Sequence, residues 1–164
     1  MARKKTEIGD IFVATLDGRT KKYFQYVASD LSQLNSDVIR AFKRAYHLEE
    51  EPGLTALVKD DVQFYAHCVI KWGLEMGLWE KVGNIPDVSN EEITFRDTNE
   101  YGRSLGEEPV MISDKWYVWK INQEYRNVGK LDSETRKAYV GLVINPRGII
   151  ELLKGNKYPP NYPD

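Results

Sequence analysis

The chain has 164 residues, 41% hydrophobic and 29% charged, with a formal net charge of −2. That length suits one domain with a self-sufficient core, and the near balance of charge supplies no global field that would draw it onto nucleic acid. Uncharged apolar runs fall well short of the ~20 residues of a spanning helix, the basic opening 1–7 leads into no apolar segment and is no secretory signal, and the single Cys68 excludes an internal disulfide or a multi-thiolate metal site, which points to a reducing, cytoplasmic setting.

Ten Tyr, five Phe and four Trp tilt the composition toward pleated, half-buried surfaces. No repeat and no Pro/Ser/Gly-rich linker interrupts the chain, so residues 1–164 read as one domain with loose ends at 1–6 and at the proline-rich 157–164. Residues 11–16 and 22–27 flank Asp17-Gly18, a turn pair in which Gly tolerates positive φ and Asp bonds its own backbone, so they predict a hairpin. Residues 36–46 carry two patterns. Val38, Ile39, Phe42, Ala45 and Tyr46 recur at helical spacing, while Val38, Phe42 and Tyr46 also share a face at period two. Periodicity favours the helix and the aromatic setting keeps a strand open. Glu49-Glu50-Glu51-Pro52-Gly53 ends the element in either case.

Residues 62–72 are dense in strand formers, Gly73 and Gly77 bracket a loop, and 78–83 return as a strand closed by Asn84-Ile85-Pro86. Further strands are predicted at 93–96, 116–122 and 139–144. One helix follows from local chemistry: Asn145 as cap, Pro146 at the first helical position, an apolar stripe of Ile149, Ile150, Leu152 and Leu153, and Gly155 for the left-handed exit. The predicted fold is α+β, mainly β: an antiparallel sheet, curled or barrel-like, with a C-terminal helix docked on it.

Catalytic chemistry is sparse. His67 and Cys68 are adjacent, so on a strand they point to opposite faces and cannot work as a pair. Cys68 then shares a side with Ala66 and Ile70 as a small core residue, and His67 reads as structural. His47, next to Glu49, reads as a solvated loop residue. No metal-binding spacing, phosphate cradle or nucleophile elbow occurs, so the sequence implies no metal, no cofactor and no enzyme; the glycines of 102–107 read as a flexible loop. The four tryptophans read as barrel filling, and Arg40, Lys43 and Arg44 between Phe42 and Tyr46 as an amphipathic element rather than a nucleic-acid platform, so a nucleic-acid partner is not expected. Four acidic pairs or triplets stand in predicted loops: Glu49-Glu50-Glu51, Asp60-Asp61, Glu91-Glu92 and Glu107-Glu108. They are either a solvated surface or a face that steers a basic partner.

Ile8-Gly9-Asp10-Ile11-Phe12-Val13-Ala14, followed by the Asp-Gly turn and an aromatic strand, resembles the opening of the immunity protein 26 family. Gly77-Leu78-Trp79-Glu80-Lys81-Val82-Gly83-Asn84-Ile85-Pro86 resembles that family's Gly-x-Trp-x-x-hydrophobic-Gly-x-hydrophobic-Pro block, and the likeness fades after Arg96. Gln25-Tyr26-Val27 departs from it, standing where the family more often has a small residue. The resemblance implies a cytoplasmic bacterial protein without catalysis that neutralises a cognate toxin by binding it. On it, Gly9, Asp10, Phe12, Trp79, Gly83 and Pro86 are fold determinants. Glu49, Glu50, Glu51, Asp60 and Asp61 are the expected toxin-contacting residues, facing a partner such as a basic nuclease domain. The alternative is a small ligand-binding or enzymatic barrel with an aromatic pocket and paired carboxylates.

Overall fold

The computed structural model describes residues 5–88, 92–101 and 106–164. β1 (Asp10–Thr15) and β2 (Thr20–Asp30) form the predicted hairpin, with Asp17 Oδ1 accepting the Arg19 and Thr20 amides at the turn. β3 (Ser36–Phe42), β4 (Tyr46–His47), the single turn α1 (Leu54–Leu57) and β5 (Val62–Cys68) follow. Next come α2 (Ile70–Glu75), β6 (Glu80–Asn84), β7 (Thr94–Thr98), β8 (Trp116–Lys120) and β9 (Arg126–Gly129). A 3₁₀ turn at Thr135–Lys137, β10 (Tyr139–Val140), β11 (Val143–Ile144) and α3 (Pro146–Leu153) complete the order.

The strands build two sheets instead of the single one expected. The first runs β11-β5-β3-β2-β1-β6 with β4 beside β2; the second runs β10-β7-β8-β9. Both remain open, so the fold is mainly β with a C-terminal helix but no barrel. Pairing is antiparallel except where β10 joins β7 and β11 joins β5. The predicted strand 139–144 is thus divided between the sheets, with the Gly141 amide donating to Arg96 O at 2.7 Å in the gap. A Cβ on Gly141 would lie 2.1 Å from the Trp119 ring, so this crossing closes only over glycine.

Three clusters form the core. Phe12, Phe24, Ile39, Trp79, Ile149 and Leu153 fill the space between the first sheet and α2 and α3. Val27, Val38, Tyr65, Phe95 and Trp119 lie between the sheets, and Ile11, Tyr23, Phe42, Tyr46 and Leu57 pack beside α1.

Residues 36–42 are a strand, which overturns the helical periodicity. β3 lies in the middle of its sheet and is covered on both sides: Val38 and Phe42 enter two clusters on one face while Ile39 and Ala41 enter the third on the other. Two buried faces erase the alternation that marks a half-exposed strand. Arg40 is carried inside with them, its Nε and Nη2 donating to Gln25 Oε1 at 3.1 and 2.7 Å.

The strand predicted over 62–72 stops at Cys68, and Gly73, Leu74 and Glu75 belong to α2 instead of a loop. Val69 gives α2 no side-chain cap; the Ile70 amide donates to Asp37 Oδ2 of β3 at 3.1 Å, so the helix start is specified from a neighbouring strand. α3 forms as read, with Gly148 N donating to Asn145 Oδ1 at 2.8 Å and Gly155 at φ +91°.

The C-terminal segment is docked, not loose. Tyr162 is 1% exposed and its hydroxyl donates to Asp97 Oδ1 at 2.9 Å, while the Asp164 amide bonds Met111 O at 2.8 Å. A buried tyrosine with a polar partner outweighs the extended bias of the prolines. At the other end, residues 1–4 lie outside the described residues, and Lys5 and Thr6 have no regular structure.

One carboxylate ties the sheets together. Asp30, at the end of β2, is fully buried and accepts from His67 Nε2 of β5 at 2.8 Å and from Trp119 Nε1 of β8 at 2.9 Å on Oδ2. Its Oδ1 accepts from Asn122 N at 3.2 Å and Ser32 Oγ at 3.3 Å. Burial opposes the charge on Asp30, but the bonds from His67, Trp119 and Asn122 prevail and hold the carboxyl below its usual range. Burial also pushes His67 below the ordinary imidazole value against the pull of Asp30. The pair is therefore carboxylate and neutral imidazole, with Nε2–H donating; Nδ1 has no hydrogen-bond partner among the described residues.

In the unfolded chain His67 regains an ordinary pKa of about 6.5. Below that pH the unfolded state binds the extra proton, so stability falls on acidification, by at most about 1.4 kcal/mol per pH unit for this one site. Urea unfolding at pH 7.5, 6 and 5 is expected to show this slope in the wild type and a shallower one in H67Q, which keeps an N–H for Asp30. Equal slopes would contradict the neutral-imidazole assignment. D30A, which strands the buried donors His67 Nε2 and Trp119 Nε1 and removes the acceptor of Asn122 N and Ser32 Oγ, is expected to cost about 3 kcal/mol or more.

Candidate functional site

The residues that carry the family resemblance meet in space. β1 pairs with β6, which sets Gly9-Asp10 against Asn84-Ile85-Pro86. Gly9 adopts φ +99°; its amide donates to Tyr26 O at 2.8 Å and its carbonyl accepts from Ile85 N at 3.0 Å and from Gln25 Nε2 at 3.2 Å. A Cβ there would lie 2.7 Å from Ile85 O and 2.9 Å from Pro86 Cα. Asp10 is fully buried and accepts from the Glu7 amide and Asn84 Nδ2, each at 2.9 Å, and from Lys81 Nζ at 2.8 Å. Burial works against its ionisation, yet Asn84, Lys81 and the Glu7 amide hold its pKa below the ordinary value.

The remaining motif residues support the same junction. Phe12 stacks on Phe24 at 5.3 Å, Trp79 meets Phe24 edge-on at 5.1 Å, and Trp79 Nε1 donates to Ile70 O at 3.1 Å. A Cβ on Gly83 would lie 2.3 Å from Leu54. Pro86 is exposed at the end of the turn. The block is a joint between β1, β6 and the helix-side core in which the buried polar groups of Asp10 and Trp79 are hydrogen-bonded.

The acidic residues form the surface site. Glu50, Glu51 and Asp60 come together with Arg44, Tyr46 and Lys59 around a depression of about 520 Å³, floored by Gly53 and Ala56 at the start of α1. Glu49 and Asp61 stand outside its lining. Two of these acids have backbone duties: Glu50 Oε1 accepts from His47 N at 3.0 Å, and Asp60 accepts from Arg44 N and Asp61 N, each at 2.8 Å. Glu49, Glu51 and Asp61 are exposed, and among the described residues their carboxylates have neither hydrogen bond nor ion pair. The Arg44 guanidinium lies over the ring of the buried Tyr46 at 4.9 Å, so that a cation stands beside the three acids of the lining. Glu92 pairs with Lys120, Glu107 and Glu108 are exposed, and Glu91 lies outside the described residues, as do four residues of the 102–107 loop.

The other candidates resolve physically. Cys68 is buried among the helix-side apolar residues, and burial pushes its thiol well above the ordinary value. His67 faces the opposite side and is committed to Asp30. Arg40 and Phe42 are buried, so residues 40–46 present no stacking platform. Trp79, Trp116 and Trp119 are core residues, but Trp72 is 52% exposed on α2 and fills nothing. Among the described residues no three His, Cys, Asp or Glu side chains converge as metal ligands, and no helix is long and apolar enough to cross a membrane.

Sequence reasoning missed one polar cluster. Asp97 of β7 accepts from the Tyr162 hydroxyl at 2.9 Å and the Tyr117 hydroxyl at 3.2 Å. Burial raises the Asp97 pKa above the usual carboxylate range despite these bonds, and pushes Tyr117 up to about 12. The cluster anchors the C-terminal segment on the second sheet. Comparison with protein-family models, curated proteins and solved structures returned no match.

The joint at Gly9 makes a direct prediction. G9A combines a left-handed φ with a Cβ pressed on backbone, so it is expected to destabilise by about 2 kcal/mol or more. G18A, where a Cβ meets nothing within 4 Å, is expected to shift stability by about 0.5 kcal/mol or less. Urea unfolding of the two variants side by side checks both.

Proposed function

We propose that this chain is an immunity-type inhibitor: a non-catalytic, cytoplasmic protein that neutralises a cognate bacterial toxin by binding it. The observation that carries the reading is the convergence of Glu50, Glu51 and Asp60, from two separate acidic segments, on one concave face, with Glu51 unpaired within it and the unpaired Glu49 and Asp61 next to it in sequence. The likeness of residues 8–14 and 77–86 to the immunity protein 26 family adds support, because both blocks serve one buried joint and leave the exposed acidic face open to vary with the partner.

A basic nuclease domain suits such a face. Its phosphate-gripping cations would meet Glu49, Glu51 and Asp61 in place of nucleic acid, and the exposed Arg44 would supply a guanidinium anchor within the depression. A stable complex buries about 1,600 Å², so the depression would form the middle of a larger contact. The charged rim contributes chiefly to encounter rate.

The test pairs this protein with the product of the neighbouring gene, expected on this reading to be toxic when expressed alone. Co-expression is expected to rescue growth, and the purified pair to bind. E49K/E51K, which disturbs no hydrogen bond, is expected to slow association about tenfold at low salt, the difference shrinking as salt is raised. A toxin that kills equally in the presence of this protein, or an association rate indifferent to the double reversal, would overturn the proposal.

A further inference from the structure

A second concavity, of about 600 Å³, opens on the far side of the second sheet between the segment before β8, the turn after β9 and the docked C-terminus. Its charges are unequally engaged. Of its three acids, Glu100 pairs with Lys115 at 3.6 Å and Asp164 with Lys157 at 3.5 Å, leaving only Asp114 without a cation. Its two cations, Lys130 and Arg136, have no carboxylate within ion-pair distance among the described residues.

A third cation stands behind the wall. Arg96 lies over the Trp116 ring at 4.9 Å, and its Nε is buried without a hydrogen-bond partner among the described residues. Arg136 and Asp164 of the lining both act on the Arg96 charge. Arg136 is held in place by its turn: its amide donates to Asp132 O at 3.0 Å, and Asp132 Oδ1 accepts the Glu134 and Thr135 amides. Val110, Leu131 and the 80%-exposed Ile112 give the same cavity an apolar side.

We propose that this cavity binds a small organic anion, a phosphoryl or carboxylate head on an apolar body. Lys130 and Arg136 take the head, and Ile112 and Leu131 cover the body. The volume lies in the ~300–1,000 Å³ range of small-molecule sites, and a guanidinium fork matches either oxyanion. The cavity shares no lining residue with the acidic face, and the proposal does not rest on the inhibitor reading.

Calorimetric titration of the full chain at constant ionic strength tests it, with phenyl phosphate, benzoate and inorganic phosphate as probes. Phenyl phosphate or benzoate is expected to bind more tightly than inorganic phosphate, and whichever is tighter identifies the head group. K130Q/R136Q, both at exposed positions, is expected to weaken that probe about tenfold or more. D114N, which removes the one unpaired acid, is expected to strengthen it several-fold. Urea unfolding confirms that the variants are folded. Binding no better than inorganic phosphate, or binding unchanged in K130Q/R136Q, would overturn the proposal.

Discussion

Asp30 is the fixed point around which the two sheets are arranged. A carboxylate removed from water is tolerated only if its lone pairs are filled, and the four donors that fill them come from both sheets and the loops between. The same demand brings the loops into register: Leu31 N donates to Asn122 Oδ1 at 2.7 Å and Asn122 Nδ2 donates to Ser29 O at 3.0 Å. Phe95 and Trp119 pack with Val27, Val38 and Tyr65 between the sheets, but apolar contact is not directional. The carboxylate selects one placement of β8 against β2 from the many that would bury similar area.

The charged groups divide by what surrounds them. Asp10, Asp30 and Asp97 are buried and saturated, so each acts as a joint: β1 to β6, sheet to sheet, and tail to sheet. The exposed acids around Tyr46 and the exposed cations around Ile112 keep unpaired charge toward solvent. A buried, fully bonded carboxylate has no capacity left for a partner, whereas an exposed one loses little by exchanging water for a complementary cation. On the two proposals above, recognition would fall to two separate concave surfaces, held by a scaffold whose buried carboxylates are bonded internally.

Much of the fold is legible locally. The hairpin follows from Asp17, whose carboxylate accepts the turn amides although Gly18 does not take the positive φ read for it, and α3 from Asn145, Pro146 and Gly155, because each depends on groups within a few residues. Cys68 and His67 are legible too, since strand alternation alone sends them to opposite faces. What is illegible depends on distant partners. β3 looks helical because both of its faces are covered. α2 is invisible because its cap is Asp37, 33 residues away. The tail reads as loose because the partner of Tyr162 is Asp97. The acidic site is half legible: the charges stand in the sequence, but only the packing of α1 beside Tyr46 shows that Glu50, Glu51 and Asp60 meet while Glu49 and Asp61 stay outside.

The crossing at residues 139–144 has a consequence for biogenesis. Its first two residues supply the outer strand of one sheet and its last two the outer strand of the other, joined through Gly141. During synthesis neither sheet can be finished until this stretch has left the ribosome, and then both are finished within six residues of one another. Between the emergence of β8 and that of β11 the growing chain would therefore carry two incomplete sheets with open margins, and one short stretch would complete both.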